Sequence, residues 1–317
     1  MQDKKNFVII NTHFIGDNIL TNSLVQNIKR IYENSNVIMV VPPYMEELAK
    51  YLKDVDDVVV WDRFNKDRGF WNTIKFAFNF PYKNIYAAFP IYGTDRPVII
   101  SKLLGAKYTI CGKQKFFSKF RNSKYPFLIK AKTIQSEFLQ LLNGLTKEKL
   151  QDVPNILNIP HEEYNLIKNI NDYIVIIPTS TRKSKEIPIE TIVELINNLK
   201  NRKIVFIGSG DFAKDYSSQL AKYNFENLID ITNKTNLTEA ATIIKNATAV
   251  VSSDTGLMHI SCALQKPTVA LFFEKFTKSF IPDRNLYNCV SIVEDYNIDI
   301  ILNSLAEVTN SKEYQNV

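Results

Sequence analysis

The chain has 317 residues, 45% hydrophobic and 23% charged, which is apolar material for two cores of ordinary domain size at about 150 residues each. No apolar run approaches the roughly 18 residues that span a bilayer, and M-Q-D-K-K-N leads into a short strand without a signal-like apolar core, so a cytoplasmic location is expected. The net charge of +6 is local: Arg96 to Ser136 carries ten Lys or Arg and no acid, leaving the rest of the chain net negative.

Phe7 to Asn11 (F-V-I-I-N) reads as a buried first strand, followed by the turn T-H-F-I-G-D-N and an amphipathic helix to about Glu33. Val37 to Val41 is the second strand, Met45 to Lys53 a helix, Val58 to Trp61 a strand, Phe70 to Phe80 a helix and Ile85 to Phe89 a strand. A helix (Val98 to Leu104) and the strand Lys107 to Cys111 follow. The basic stretch Lys113 to Lys132 interleaves its cations with Phe116, Phe117, Phe120, Tyr125 and Phe127. A helix from about Thr133 to Leu145 and the Asn- and Pro-containing region Gln151 to His161 connect the halves, with domains expected over 1–160 and 161–317.

The alternation restarts with the strand Tyr173 to Pro178, the helix Ile189 to Lys200 and the strand Lys203 to Ile207. The helix Phe212 to Lys222, the strand Asn227 to Asp230 and the helix Leu237 to Asn246 continue it. A strand from Ala249, the turn Ser252 to Gly256, a helix from Leu257 to Leu264 and the strand Thr268 to Phe272 close the series. The fold class is therefore α/β, two doubly wound Rossmann-like domains with a cleft between them. Cys111, Cys262 and Cys289 lack metal-ligand spacing and fall in apolar contexts, as buried thiols do.

Three turns carry candidate chemistry. Ser252, Ser253, Asp254 and Thr255 leave a strand and open a helix, where backbone N–H groups and the helix dipole favour an anion; Gly256 permits close approach and His259 lies one turn on. An ordinary N-cap is the bland alternative. In I-P-T-S-T-R-K-S-K-E-I-P, Ser180 and Thr181 bring hydroxyls and Arg182, Lys183 and Lys185 bring charge suited to a diphosphate, against a plain solvated loop. Gly16-Asp17, after the first strand, places a carboxylate at the carboxyl edge of the sheet, suited to a general base or to helix capping.

Other signals compete. Gly208, Gly210 and Ala213 satisfy G-x-G-x-x-A after a strand, with Asp230 at about the distance of a ribose carboxylate, which supports a rival NAD-dependent enzyme. Asp54-Val55-Asp56 spells D-x-D but precedes its strand, which reads as a surface turn, and no metal is assigned.

S-D-T-G-L-M-H-I-S-C-A-L-Q-K-P-T-V-A-L-F resembles the donor-binding signature of the heptosyltransferase family, bacterial glycosyltransferases that use ADP-heptose in lipopolysaccharide core assembly. N-T-H-F-I-G-D-N-I-L-T, L-L-G-A-K-Y-T-I-C-G and the T-S-T-R-K-S-K loop resemble three further segments of the family. The resemblance implies a metal-independent, inverting enzyme of the GT-B arrangement, without cofactor, taking a nucleotide-sugar donor and an anionic glycolipid or glycan acceptor. It implies Asp17 as the base and Lys185, Ser180 and Thr181 as donor contacts, joined by Asp254, Thr255, Gly256 and His259, with Asp215 (or Asp211) toward the ribose. His13 stands where the family usually has a small polar residue and is a candidate acceptor contact. Lys115, Lys119, Arg121 and Lys124 of the basic stretch would meet the anionic acceptor at the inner face of the membrane, rather than nucleic acid, with an inert solvated loop as the alternative. After Phe272 the chain reads F-E-K-F-T-K-S-F in place of the family's Gly-Pro-Thr type turn, which leaves another nucleotide-sugar, or a silent sugar-nucleotide binder, as alternatives.

Overall fold

The computed structural model describes residues 4–111, 131–160, 164–273 and 275–310. They form two compact units, Met1–Asn155 and Ile156–Val317. The hand-over falls a few residues before the expected 160. Asn155 is tied into the first unit, its Oδ1 accepting from the Ser23 N–H at 2.9 Å and its amide donating to Gln135 at 2.8 Å. Two residues later the Leu157 N–H donates to the Ala263 carbonyl of the second unit at 3.0 Å.

In the first unit the elements run β1 (Lys5–Ile10), α1 (Ile15–Leu20), α2 (Asn22–Ile31), β2 (Ser35–Val41), α3 (Glu46–Ala49), β3 (Asp57–Val60), α4 (Phe70–Phe78), β4 (Ile85–Pro90), α5 (Asp95–Leu103), β5 (Tyr108–Thr109) and α6 (Ile134–Gln140). All pairings are parallel, in the order β3-β2-β1-β4-β5. β1 and β2 are apolar without alternation because helices cover both faces; Val8, Ile10, Ile38 and Val40 pack with Trp61, Ala77 and Phe80 in one core.

The expected first helix is two. α1 starts at Ile15, so Gly16 and Asp17 lie inside the helix rather than in the turn before it, and the break falls at Thr21. The expected helix at Met45 to Lys53 shrinks to α3 behind a 3₁₀ turn, Pro43–Met45. In the D-x-D run Asp56 accepts from the Val37 N–H at 2.7 Å and pairs with Lys29 at 2.7 Å, a job of joining strand and helix.

The second unit runs β6 (Tyr173–Ile177), α7 (Ile189–Asn198), β7 (Lys203–Phe206), α8 (Gly210–Leu220), β8 (Leu228–Asp230), α9 (Leu237–Asn246), β9 (Ala249–Ser253), α10 (Gly256–Ala263), β10 (Thr268–Phe272), β11 (Cys289–Val293) and α11 (Ile298–Thr309). Its parallel sheet has the order β11-β10-β9-β6-β7-β8. β11 and α11 continue the alternation past Phe272, where the sequence reading names no element. The core gathers Ile174, Ile176, Phe206, Val251 and Leu271 under Ile192, Leu195, Tyr216, Leu302 and Leu305. All three cysteines are free and buried. No helix among the described residues is long and apolar enough to cross a membrane.

Each sheet is wound in both directions from its middle, with the reversal between β1 and β4 in one unit and between β6 and β9 in the other. Loops leaving the carboxyl ends of two such central strands diverge and open a crevice, the usual ligand position of this architecture.

Candidate functional site

At the reversal in the second unit, Ile177 of β6 is level with Ser252 of β9, so the loops that follow the two strands lie side by side. The β6 loop turns back at once: the Ile187 N–H donates to the Pro178 carbonyl at 2.9 Å, and Tyr216 of α8 donates to the Ile187 carbonyl at 2.8 Å. This brings the 3₁₀ turn Lys183–Lys185 over β9. The Lys185 ammonium meets Asp254 Oδ2 at 2.6 Å, with the two side chains only 14% and 6% exposed. Ser180 Oγ donates to the Asp254 carbonyl at 3.4 Å, and Ser253 Oγ to the Thr179 carbonyl at 3.2 Å.

Lys185 has three donors, of which Asp254 occupies one, so the pair holds the ammonium in place with hydrogens left for an anion. Thr255 is the N-cap of α10 in extended conformation, and its side chain makes no capping bond. The first-turn N–H groups of α10 and the Thr255 hydroxyl thus share one end of the helix, next to Ser180 and Lys185. His259 is buried in α10, its ring 6.3 Å from that of Phe280. Burial lowers its pKa to about 4 despite the pull of Asp254 in the other direction, with Lys185 lowering it further, so it is neutral at pH 7.

Thr181 is exposed on the same loop. Asp215 lies on the exposed side of α8, close enough to Glu186 that its charge, after burial, helps to raise that carboxyl. Gly208 packs tightly, since a Cβ there would stand 2.6 Å from the Ala213 Cβ and 3.2 Å from Thr179 Oγ1. Asp230, the ribose carboxylate of the NAD alternative, instead accepts from the Ser217 hydroxyl and from the Thr232 N–H at 2.8 Å.

At the reversal in the first unit, β1 and β4 end level, Ile10 beside Pro90. Asp17 is 5% exposed, and its carboxylate accepts from the Phe14 N–H at 3.2 Å and from the Tyr92 hydroxyl. The chain thus uses Asp17 for capping, from the third helical position, and still presents its other oxygen to Tyr92. Burial first, then the neighbouring Asp17 charge, keep Tyr92 protonated far beyond neutral pH. Its ring lies 4.1 Å from the His13 ring and 5.5 Å from that of Phe138.

Tyr44 donates to the His13 carbonyl at 2.6 Å, and burial and Asp17 raise its pKa. The His13 pKa falls to about 4 through burial and the nearby Arg63 charge. His13 and Asp17 are therefore brought together, while Lys115, Lys119, Arg121 and Lys124 lie outside the described residues. Tyr92, Tyr44 and Arg63 were not singled out from sequence. Tyr92 had a usable signal: it stands two residues past Pro90, the end of β4, at the same carboxyl edge as Asp17.

A family model described as glycosyltransferase family 9 (heptosyltransferase) matches residues 115–299, more than half of the chain. The chain belongs to glycosyltransferase family 9. A lipooligosaccharide heptosyltransferase 2 of Haemophilus influenzae is 50% identical over 44 residues, a stretch covering 14% of this chain and 13% of that protein. The family 9 fold is also that of a Veillonella parvula glycosyl transferase of family 9 (TM-score 0.82, 18% identity, 99% of this chain and 94% of the other covered). An Escherichia coli heptosyltransferase solved with ADP aligns with TM-score 0.76 at 17% identity over 96% of this chain and 99% of its own. These likenesses establish the GT-B fold class for the family 9 chain.

Two outcomes test the second-unit geometry. Because the Lys185–Asp254 pair is nearly enclosed, Lys185→Ala or Asp254→Ala should each cost about 3 kcal/mol by leaving the other charge unpaired, and the double variant much less than the sum. Urea denaturation of the four proteins measures this; strictly additive losses would show the pair uncoupled.

His259 gives a pH signature. Its folded pKa of about 4 lies below the unfolded value near 6.5, so the unfolded state binds more protons between them. Stability should therefore fall as pH drops from about 6.5 to about 4, by up to about 1.4 kcal/mol per pH unit from this group. His259→Gln should flatten that slope in denaturation curves taken across the window, and an unchanged slope would refute the assignment.

Proposed function

We propose that the chain is an inverting glycosyltransferase that moves a heptose, or a related sugar, from a nucleoside-diphosphate donor to an anionic glycolipid or surface-glycan acceptor such as a lipopolysaccharide core. ADP-heptose is the leading donor. The observation that carries the reading is that each unit gathers its candidate residues at the reversal point of its own sheet: Asp17 with Tyr92 in one, Lys185 with Asp254 and the start of α10 in the other. Membership of the heptosyltransferase family and the ADP found with an E. coli structural relative support it.

In the proposed reaction an acceptor hydroxyl attacks the anomeric carbon as the bond from that carbon to the diphosphate oxygen breaks. Asp17 takes the hydroxyl proton. The departing diphosphate gains negative charge, which Lys185, the Ser180 and Thr255 hydroxyls and the α10 N–H groups stabilise, so fixed positive groups do the work a metal would otherwise do. Asp254 holds Lys185 at the place where that charge develops. His259 is neutral at working pH and contributes a hydrogen bond rather than charge. The reading includes a cytoplasmic site of action at the inner membrane face, where a lipid-linked acceptor is presented.

Asp17→Asn should lower kcat by about a hundredfold or more with donor affinity unchanged, because a base acts on the acceptor and not on the diphosphate. Steady-state kinetics with ADP-heptose, paired with donor-induced thermal shift, separate the two effects: wild-type turnover would remove Asp17 from the mechanism, and the absence of any shift would remove the donor assignment.

Tyr92→Phe deletes the hydrogen bond that orients the Asp17 carboxylate, and the lost alignment should lower kcat about tenfold or more at constant donor affinity. The same loss makes the carboxylate more basic, and the acid limb of the pH–rate profile should move to higher pH. A variant with the wild-type profile would leave Tyr92 with a packing role alone.

A further inference from the structure

α4 has two apolar faces, and one of them is covered. Thr73 and Ala77 are buried, and Phe76 packs against Trp61 and Phe80 at ring distances of 5.8 and 6.0 Å. The other face carries Phe70, Trp71 and Phe78 at 55%, 78% and 66% exposure, with the half-buried Ile74 between them. Positions 70, 74 and 78, with 71 alongside, form one stripe along the helix. A surface helix ordinarily presents polar side chains there. Three aromatic side chains of about 200 Å² each, two-thirds exposed, offer about 400 Å² of apolar surface, at the upper end of what monomers leave bare.

The charges around the stripe are sorted by sign. Between residues 62 and 78 there are two acids and four cations: Asp62 and Asp67 against Arg63, Lys66, Arg68 and Lys75. Both acids are turned into the loop. Asp62 accepts from the Asn65 N–H and side-chain amide at 3.2 Å each and from the Lys66 N–H at 3.4 Å, while Asp67 accepts from the Asp62 N–H at 2.9 Å. Lys66, Arg68 and Lys75 are exposed, and none of them pairs with a carboxylate among the described residues. Phe64, 63% exposed, carries the Arg63 guanidinium 4.5 Å from its ring. Beside Phe70 opens a hollow of about 460 Å³ lined by Arg68, Phe70, Asp95, Arg96 and Ile99, two cations to one acid.

We propose that the outer face of α4 and the loop 62–69 before it form the surface by which this chain docks on an anionic lipid bilayer. Trp and Phe fit the boundary between headgroups and acyl chains, and long cationic side chains flanking them reach the phosphates. A second copy of the chain is a poorer occupant. A two-fold contact would set Lys66, Arg68 and Lys75 against their own copies, with the nearby acids already engaged. The inference deepens the membrane element of the proposed function by naming the contact surface. Its test needs neither donor nor acceptor, so it fails independently of the glycosyltransferase reading, which donor binding decides.

The chain has two tryptophans, and Trp61 is fully buried, so Trp71 reports on this face. With the whole chain and vesicles of phosphatidylcholine alone or mixed with phosphatidylglycerol, the expected result is a blue shift of tryptophan emission and co-sedimentation with the anionic vesicles, both weakening as salt rises. Trp71→Ser with Phe78→Ser should lower vesicle affinity at least tenfold at unchanged melting temperature, since both side chains already face solvent. Trp71→Phe should retain binding. Lys66, Arg68 and Lys75 replaced together by Ser should remove the salt-dependent part. Wild-type protein that ignores anionic vesicles, or a serine double variant that binds like wild type, overturns the proposal. So does loss of vesicle binding only when Lys115, Lys119, Arg121 and Lys124 are replaced, which would give the contact to the other basic stretch. A concentration-dependent dimer, seen by sedimentation velocity without vesicle binding and abolished in the serine variant, would give the face to a second copy.

Discussion

Everything functional here depends on one constraint: a parallel sheet wound outward from its middle must send the loops after its two central strands in opposite directions. In the second unit those loops follow β6 and β9, and in the first β1 and β4. Backbone N–H groups and side chains at such a point have no covering helix above them, so polar residues can collect there without the cost of burying them unpaired. The continuous apolar strands beneath, with both faces covered, keep the platform rigid.

On that platform the Lys185–Asp254 pair is a means of placing a charge. Buried ion pairs add little net stability compared with apolar packing, yet they cannot be broken one-sidedly without leaving a stranded charge. Such a pair therefore fixes an ammonium in position, which is what the proposed stabilisation of a departing diphosphate requires. The surroundings reinforce this: Tyr216 holds the loop from behind, Thr179 and Ser253 join the two strand ends, and His259 stays neutral.

In the first unit the same logic is applied to a carboxylate. Asp17 is enclosed, beside a tyrosine that stays protonated and near a histidine that stays neutral. The Phe14 N–H and the Tyr92 hydroxyl orient its two oxygens, and Asn11 accepts from the His13 N–H at 3.2 Å while donating to the Asp17 carbonyl at 2.9 Å. The turn is thus held by bonds between its own polar side chains and backbone.

Much of this could be read from the chain itself. The strands were legible because residues buried on both faces must be apolar throughout, and their alternation with helices allows few architectures. The candidates Ser180, Lys185, Asp254 and Thr255 were legible because each follows a strand and precedes a helix, and Asp17 because it sits in the first turn of the helix after β1, where local rules place polar groups. What lay beyond the sequence depends on long-range pairing. Nothing local told that Lys185 and Asp254, 69 positions apart, would meet, or that Tyr92 would reach across 75 positions to Asp17. Gly16-Asp17 looked like a turn because capping by the third residue and capping by the first leave similar sequence traces. The sequence marks α4 only as a helix, since a pattern of Phe, Trp and Ile records the wish to leave water but not the partner; only the packing of its neighbours decides which face is left uncovered.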